Sequence, residues 1–248
     1  MIYLYAITDR CDLPVPAKPG LEGTSLFSLT YQDIAAVVSP LDTAKTPPTE
    51  DNLWRHEAVV EALMADRTVL PVRFGTMLAD EAAVQAALAA HYADFVAGLE
   101  RVRGRVELGL RVLSSPEFLQ LPQSSPKFPS ISQRNSEELR GTQGGSGRAY
   151  LLARLEEERQ RQAWRQRAEA LADELHVPLA RLAVESTRQV LVTPRLLLTA
   201  AYLVEQGRVP TFRQEVEALS AAYPELRFLC TGPWPAYNFV TPTMTFDV

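Results

Sequence analysis

Histidine and cysteine build most metal sites and many nucleophilic centres, and this sequence is poor in both: His56, His91, His176, Cys11 and Cys230. No two histidines stand at a ligand spacing such as i, i+4, and the cysteines lie far apart in no metal-type pattern, so zinc and haem lose most of their standing. His56 adjoins Glu57, residue types suited to acid–base work, but consecutive positions on a helix point apart, and His56 reads as a packed or hydrogen-bonded structural histidine. The run Gly141-Thr142-Gln143-Gly144-Gly145-Ser146-Gly147-Arg148 precedes a helical segment, where glycine-rich backbone can cradle phosphate. No Lys-Ser/Thr follows and the fingerprint spacing is absent, so it reads as a flexible tether. Ser146 misses the nucleophile-elbow pattern because position 148 is Arg. Cys230 falls in an alternating apolar run and reads as a core thiol.

Two segments stand out for binding rather than catalysis. Val69-Leu70-Pro71-Val72-Arg73-Phe74-Gly75-Thr76 places an arginine in what reads as an apolar strand, and such an arginine needs a partner if buried. Thr231-Gly232-Pro233-Trp234-Pro235-Ala236-Tyr237-Asn238-Phe239-Val240 holds Trp234 between two prolines, with Tyr237 and Phe239 following. Trp, Tyr and Arg supply binding energy efficiently, which makes Arg73, Phe74, Trp234, Tyr237 and Phe239 candidate partner-binding residues. The other reading of the second segment, a rigid strap packed on the body of the protein, stays open.

The elements that must position these residues follow from periodicity. Met1–Thr8, Leu26–Leu29 and Ile34–Ser39 read as strands. Thr49 caps a helix that ends near Asp66, with Leu53, His56/Glu57, Val60 and Leu63/Met64 at helical spacing. Val69–Phe74 reads as a strand; Pro71, lacking an N–H, belongs at an edge, an end or a bulge. Asp80 caps one long helix to about Val102, with Val84, Leu88, Tyr92, Phe95, Leu99 and Val102 as its stripe. Gly104 breaks the chain, and Val106, Leu108, Leu110 and Val112 alternate as a strand. Residues 114–147, rich in Ser, Pro, Gly and Gln, read as a mobile insertion. Then come a helix through Leu175 with Pro178 beyond its end, strands Leu182–Val192 and Leu196–Val204, a helix opened by a Thr211/Gln214 capping box, and a strand over Leu226–Cys230.

The expected class is α+β in two domains, divided near Arg103–Arg105. An N-terminal mixed α+β sheet domain covers 1–104. A C-terminal domain covers 105–248; its strand–helix–strand–strand–helix–strand order is the ferredoxin-like βαββαβ unit, carrying the insertion at 114–147 and a Pro/aromatic C-terminal tail.

Composition narrows function further. The 248 residues carry 25 Lys+Arg against 30 Asp+Glu, a net charge of -5, which argues against a nucleic-acid partner held by a basic field. The βαββαβ order also occurs in RNA-recognition modules, but the exposed strand aromatics those need are missing. No run approaches the ~20 apolar residues of a membrane span, so no lipid membrane is expected. Without a signal-type start the thiols read as reduced and the protein as cytoplasmic. An α+β enzyme with a site between the domains, drawing on His56, Glu57 and Arg73, remains the alternative.

In order along the chain, several segments resemble the gas vesicle protein L/F family (GvpL/GvpF). They are Tyr3-Leu4-Tyr5-Ala6-Ile7, His56-Glu57-Ala58-Val59, Val69–Thr76, Gly147-Arg148-Ala149-Tyr150-Leu151-Leu152, Ala200-Ala201-Tyr202-Leu203-Val204 and Thr231–Val240. The Leu-Pro-x-Arg-Phe-Gly-Thr and Thr-Gly-Pro-Trp-Pro-x-Tyr segments together are fairly specific, and the resemblance spans nearly all the chain outside the insertion. It implies a non-enzymatic, gas-vesicle-associated protein without catalytic residues or cofactors. It also implies contact with the small hydrophobic shell protein GvpA, and with other gas vesicle accessory proteins, during nucleation and assembly or as a minor vesicle component.

Overall fold

A computed structural model describes residues 1–9, 11–42, 46–114, 145–193 and 195–240. The Gly141–Gly144 part of the glycine run, most of the 114–147 insertion and the last eight residues lie outside them. The first half builds an antiparallel sheet from β1 (Ile2–Thr8), β2 (Phe27–Tyr31), β3 (Ile34–Pro40), β4 (Val69–Pro71) and β5 (Met77–Leu78), in the order β2-β3-β1-β4 with β5 also on β1. Three helices cover it: α1 (Glu50–Met64), α2 (Glu81–Ala90) and α3 (Tyr92–Val102).

Every residue of β1 is buried, because its two faces meet different helices. Tyr3 and Tyr5 face Val59, Val60 and Leu63 of α1. Leu4 and Ile7 face Val84 and Leu88 of α2 and Phe95 and Leu99 of α3. A strand covered on both sides reads as a continuous apolar run, which is why Met1–Thr8 is so uniformly apolar.

The second half builds a sheet from β6 (Arg105–Ser114), β7 (Glu185–Thr193), β8 (Leu196–Glu205) and β9 (Leu226–Trp234), ordered β7-β8-β6-β9 and antiparallel throughout. Helices α4 (Gly145–Ala180) and α5 (Val209–Ala222) cover one face. Leu108, Leu110 and Val112 of β6 and Leu198, Ala200, Tyr202 and Val204 of β8 meet Ala168, Ala172, Leu175, Phe212 and Val216 there. On the opposite face, Ala201 and Leu203 join the core of the first sheet, together with Ala236 and Phe239 of the closing segment. The two sheets therefore share buried surface.

Four sequence expectations need correction. The single helix over Asp80–Val102 is two, broken at His91 (φ -112°, ψ 17°). Its apolar stripe is continuous, but α2 lies over β2 and α3 over β4, and one straight rod cannot follow both across a twisted sheet. Pro178 does not lie beyond a helix: α4 runs through it to Ala180, because Leu179 is fully buried beneath that last turn. The Thr211/Gln214 capping box does not open α5, which starts at Val209 with Pro210 in its first turn, where a fixed φ is pre-organised and the missing N–H costs nothing. Finally, the strand expected over Val69–Phe74 stops at Pro71. Pro71 does sit at the end of an edge strand, as its missing N–H requires.

Over its 36 residues α4 spans about 54 Å. Its C-terminal half packs on β7, β8 and α5, whereas Leu151, Leu152 and Leu155 in its N-terminal half are exposed.

Candidate functional site

Helix α1 starts cleanly because the Thr49 hydroxyl accepts from the Asn52 N–H at 3.3 Å. Two of its faces matter. His56 points inward and is buried. Leu53 and Trp54 point outward and are 44% and 62% exposed, so Leu53 is no part of the core stripe expected of it. The Trp54 indole N–H donates to Glu50, one turn back, at 3.4 Å.

His56 pins the turn that follows β4. Its Nε2–H donates to the Val72 carbonyl at 3.1 Å, and Nδ1 accepts from the Tyr3 hydroxyl at 3.0 Å. That hydroxyl in turn accepts from the Gly75 N–H at 3.0 Å. A carbonyl partner at Nε2 and a hydroxyl at Nδ1 fit the neutral imidazole. Burial, only partly opposed by the bond to Val72, pushes the His56 pKa down to about 4. Gly75 sits at φ +88°, a conformation open to glycine at little cost. Phe74 is held edge-on to His56 and Tyr3, with ring centroids 5.8 and 6.1 Å apart.

The closing segment reaches the same place from the second sheet. Glu107 pairs with Trp234 but Gly109 with Thr231, so β9 carries an extra residue. This bulge re-aims the chain. Gly232 sits in it at φ +103°, where a Cβ would lie 2.6 Å from the Glu107 carbonyl oxygen; only glycine fits. Beyond the bulge, Tyr237 donates to Glu57 at 2.9 Å. Asn238 donates its backbone N–H and side-chain amide to the two carboxylate oxygens of Glu107, at 2.8 and 2.6 Å.

Between these parts lies a cleft of about 640 Å³, walled by Leu53, Trp54, Phe74, Trp234 and Tyr237, with Glu50, His56, Glu57, Glu107 and Asn238 completing it. Burial raises the pKa of both Glu57 and Glu107, more than the bonds from Tyr237 and Asn238 lower them; Glu61 and Glu107 push Glu57 further up. The other oxygen of Glu57 is buried and meets no hydrogen-bond donor among the described residues.

Of the five candidate residues, the structure brings Phe74, Trp234 and Tyr237 into this cleft. Phe239 is 4% exposed and belongs to the core, so it is strap, not surface. Arg73 follows the end of its strand, is exposed and does not line the cleft; it needs no partner because it is not buried. The sequence reading missed Trp54, Leu53, Glu107 and Asn238. A tryptophan outside the apolar stripe of α1 was the available signal for Trp54; Glu107 gave none, since alternation places it on the strand's polar side. His56, Glu57 and Arg73 do not converge: His56 has both nitrogens engaged, Glu57 is bound by Tyr237, and Arg73 lies outside. Among the described residues no group of three or more His, Cys, Asp or Glu could hold a metal ion, and no helix is long and apolar enough to cross a membrane. Cys11 and Cys230 are free and half-buried, and burial raises both thiol pKa values.

The model of the gas vesicle synthesis protein GvpL/GvpF family matches residues 1–241. The chain belongs to the GvpL/GvpF family. It is 33% identical to gas vesicle protein L of Streptomyces sp. (strain CB03234) over 257 residues, covering 96% of this chain and 91% of that one. It is 24% identical to gas vesicle protein F1 of Halobacterium salinarum over 242 residues, covering 96% and 92%. The fold matches the crystal structure of GvpF from Anabaena sp. PCC7120 with a TM-score of 0.76 at 22% identity, over 97% of this chain and 95% of that one. The GvpF structure from Microcystis aeruginosa matches with a TM-score of 0.72 at 21% identity, over 97% and 98%. A role in gas vesicle formation and association with gas vesicles follow from this membership; the family is one of gas vesicle structural and assembly proteins, not of enzymes. Val69–Thr76 and Thr231–Val240, two of the segments that carry the GvpL/GvpF resemblance, both line the cleft, the first through Phe74 and the second through Trp234, Tyr237 and Asn238.

Proposed function

We propose that this protein is a non-enzymatic, cytoplasmic assembly factor that binds the gas vesicle shell protein GvpA through the aromatic cleft, during nucleation or as a minor vesicle component. The observation that carries the reading is the convergence of Phe74, Trp234 and Tyr237, distant in sequence, around the exposed Leu53 and Trp54. A concave site with apolar walls and a few placed polar groups suits a protruding side chain of another protein. Holding shell subunits this way would cover apolar surface and strand edges until they join a growing shell. Other gas vesicle accessory proteins are further partners of the same kind; no nucleic acid or lipid membrane is among them.

The proposed organisation keeps two domains, 1–104 and 105–248, the second ferredoxin-like. Its support is the β6-α4-β7-β8-α5-β9 order with strand order β7-β8-β6-β9. The closing segment then acts as a strap that carries part of the C-terminal domain onto the first, forming the cleft at their junction.

Pull-down of GvpA by the full chain and by Trp54→Ala tests the binding reading. Trp54 is exposed, so the variant should keep the wild-type melting temperature while losing about tenfold or more of its affinity. Equal capture by both proteins overturns the assignment of the cleft. Normal vesicle formation in cells deleted for this protein overturns the assembly role.

A further inference from the structure

The cleft has apolar walls and an acidic floor. Glu50, Glu57 and Glu107 line it, and among the described residues neither Lys nor Arg does. The charges of the described residues that act on Glu57, Glu61 and Glu107, are carboxylates. One oxygen of Glu57 is buried and lacks a hydrogen-bond donor among the described residues, and a buried acceptor left unmatched is costly. Trp54 and Trp234 both line the cleft, and an indole face attracts a cation more strongly than any other aromatic face.

An occupant that satisfies all of this has an alkyl stem to lie against Trp54, Phe74 and Trp234 and a positively charged head to meet Glu57. We propose that the cleft recognises a basic side chain, Arg or Lys, presented by the partner protein. The inference rests on the reading of the cleft as a partner site and adds what that site selects for. Glu107 is held by Asn238 through both oxygens, so it supplies field more than a direct bond. Glu57, bound among the described residues by Tyr237 through one oxygen, supplies the acceptor. A purely aliphatic anchor would leave that acceptor unmatched, and an acidic one would meet like charge at short range.

The test uses the full chain and two synthetic probes, acetyl-Leu-Arg-Leu-amide and the same peptide with uncharged citrulline for Arg, titrated with NMR detection of the Trp54 and Trp234 indole signals. The Arg peptide should bind about tenfold tighter than the citrulline peptide, and added salt should narrow the gap. Glu57→Gln, which keeps an acceptor for Tyr237, should remove most of that preference. Glu50→Gln, at an exposed position, should reduce it about twofold and stands in if Glu57→Gln proves unstable. Equal affinity for the two peptides, no shift with either at millimolar concentration, or an unchanged preference in the glutamate variants overturns the inference. GvpA capture separates the two proposals. Loss with Trp54→Ala but not with Glu57→Gln leaves the partner site standing and removes the basic side chain; loss with neither removes both.

Discussion

Each sheet is tied to one of its covering helices by a tyrosine–histidine hydrogen bond, and the two bonds differ in everything but chemistry. In the first half Tyr3 of β1 meets His56 of α1 at 3.0 Å; in the second Tyr202 of β8 meets His176 of α4 at 2.8 Å. His56 is buried, with its second nitrogen bound to the Val72 carbonyl, and Tyr3 also holds Gly75. His176 is half-buried, and its second nitrogen has only a long contact, 3.4 Å, to the Ser186 hydroxyl. The first pair therefore shapes a turn that walls the cleft, while the second only docks a helix. The same two residue types become a site-building device or a simple fastener according to how much backbone they hold and how much water they exclude.

Acid should break the first pair most severely. The folded-state pKa of His56 is about 4 against an ordinary 6.5, so the unfolded chain binds the extra proton first as pH falls. Stability held above pH 6.5 is lost as pH drops from there to about 4, by roughly 3 kcal/mol. Glu57 and Glu107, whose pKa values are raised by burial, act with the opposite sign and offset part of it. Urea unfolding against pH should show a steep acid limb that flattens in His56→Gln and persists in His176→Gln. Persistence of the limb in both variants would remove the contrast.

Next in size, Tyr3→Phe should cost about 2–3 kcal/mol, because it orphans both His56 Nδ1 and the Gly75 N–H, whereas Tyr202→Phe should cost about 1 kcal/mol. Equal losses in denaturant would show that burial does not separate the pairs. Asn238→Ala, which strips Glu107 of its side-chain amide donor and leaves the backbone N–H in place, should cost about 1.5 kcal/mol and loosen the cleft wall, read as faster exchange of the Tyr237 amide. Leu155→Gln, on the exposed half of α4 far from His176, should change stability by less than about 0.5 kcal/mol.

Much of the fold was legible because periodicity reports burial. The α1 cap, the apolar stripe of α2 and α3, the alternation along β6 and the strand–helix order of the second half all appear where the pattern places them. The misreadings share one cause. The break at His91, the helix through Pro178 and the early start of α5 are set by what each segment packs against, which local propensity does not contain. The site was half legible: Phe74, Trp234 and Tyr237 stood out as unusual residues beside prolines and glycines, yet Phe239, of the same type in the same segment, turned inward. Glu107 was invisible because its role depends on an approach by chain more than a hundred residues away, and Trp54 was marked only by standing off the apolar stripe of α1.

By itself the sequence determined the element types, the family, and the two segments that matter, since those depend on residue type, local spacing and the glycines needed at positive φ. Tertiary structure alone decided that these segments meet, which aromatic side chains face solvent and which are core, and that two carboxylates, Glu107 buried and Glu57 half-buried, lie beneath them. The physical reason is that burial belongs to pairs of surfaces, and nothing in one segment states which other segment will cover it.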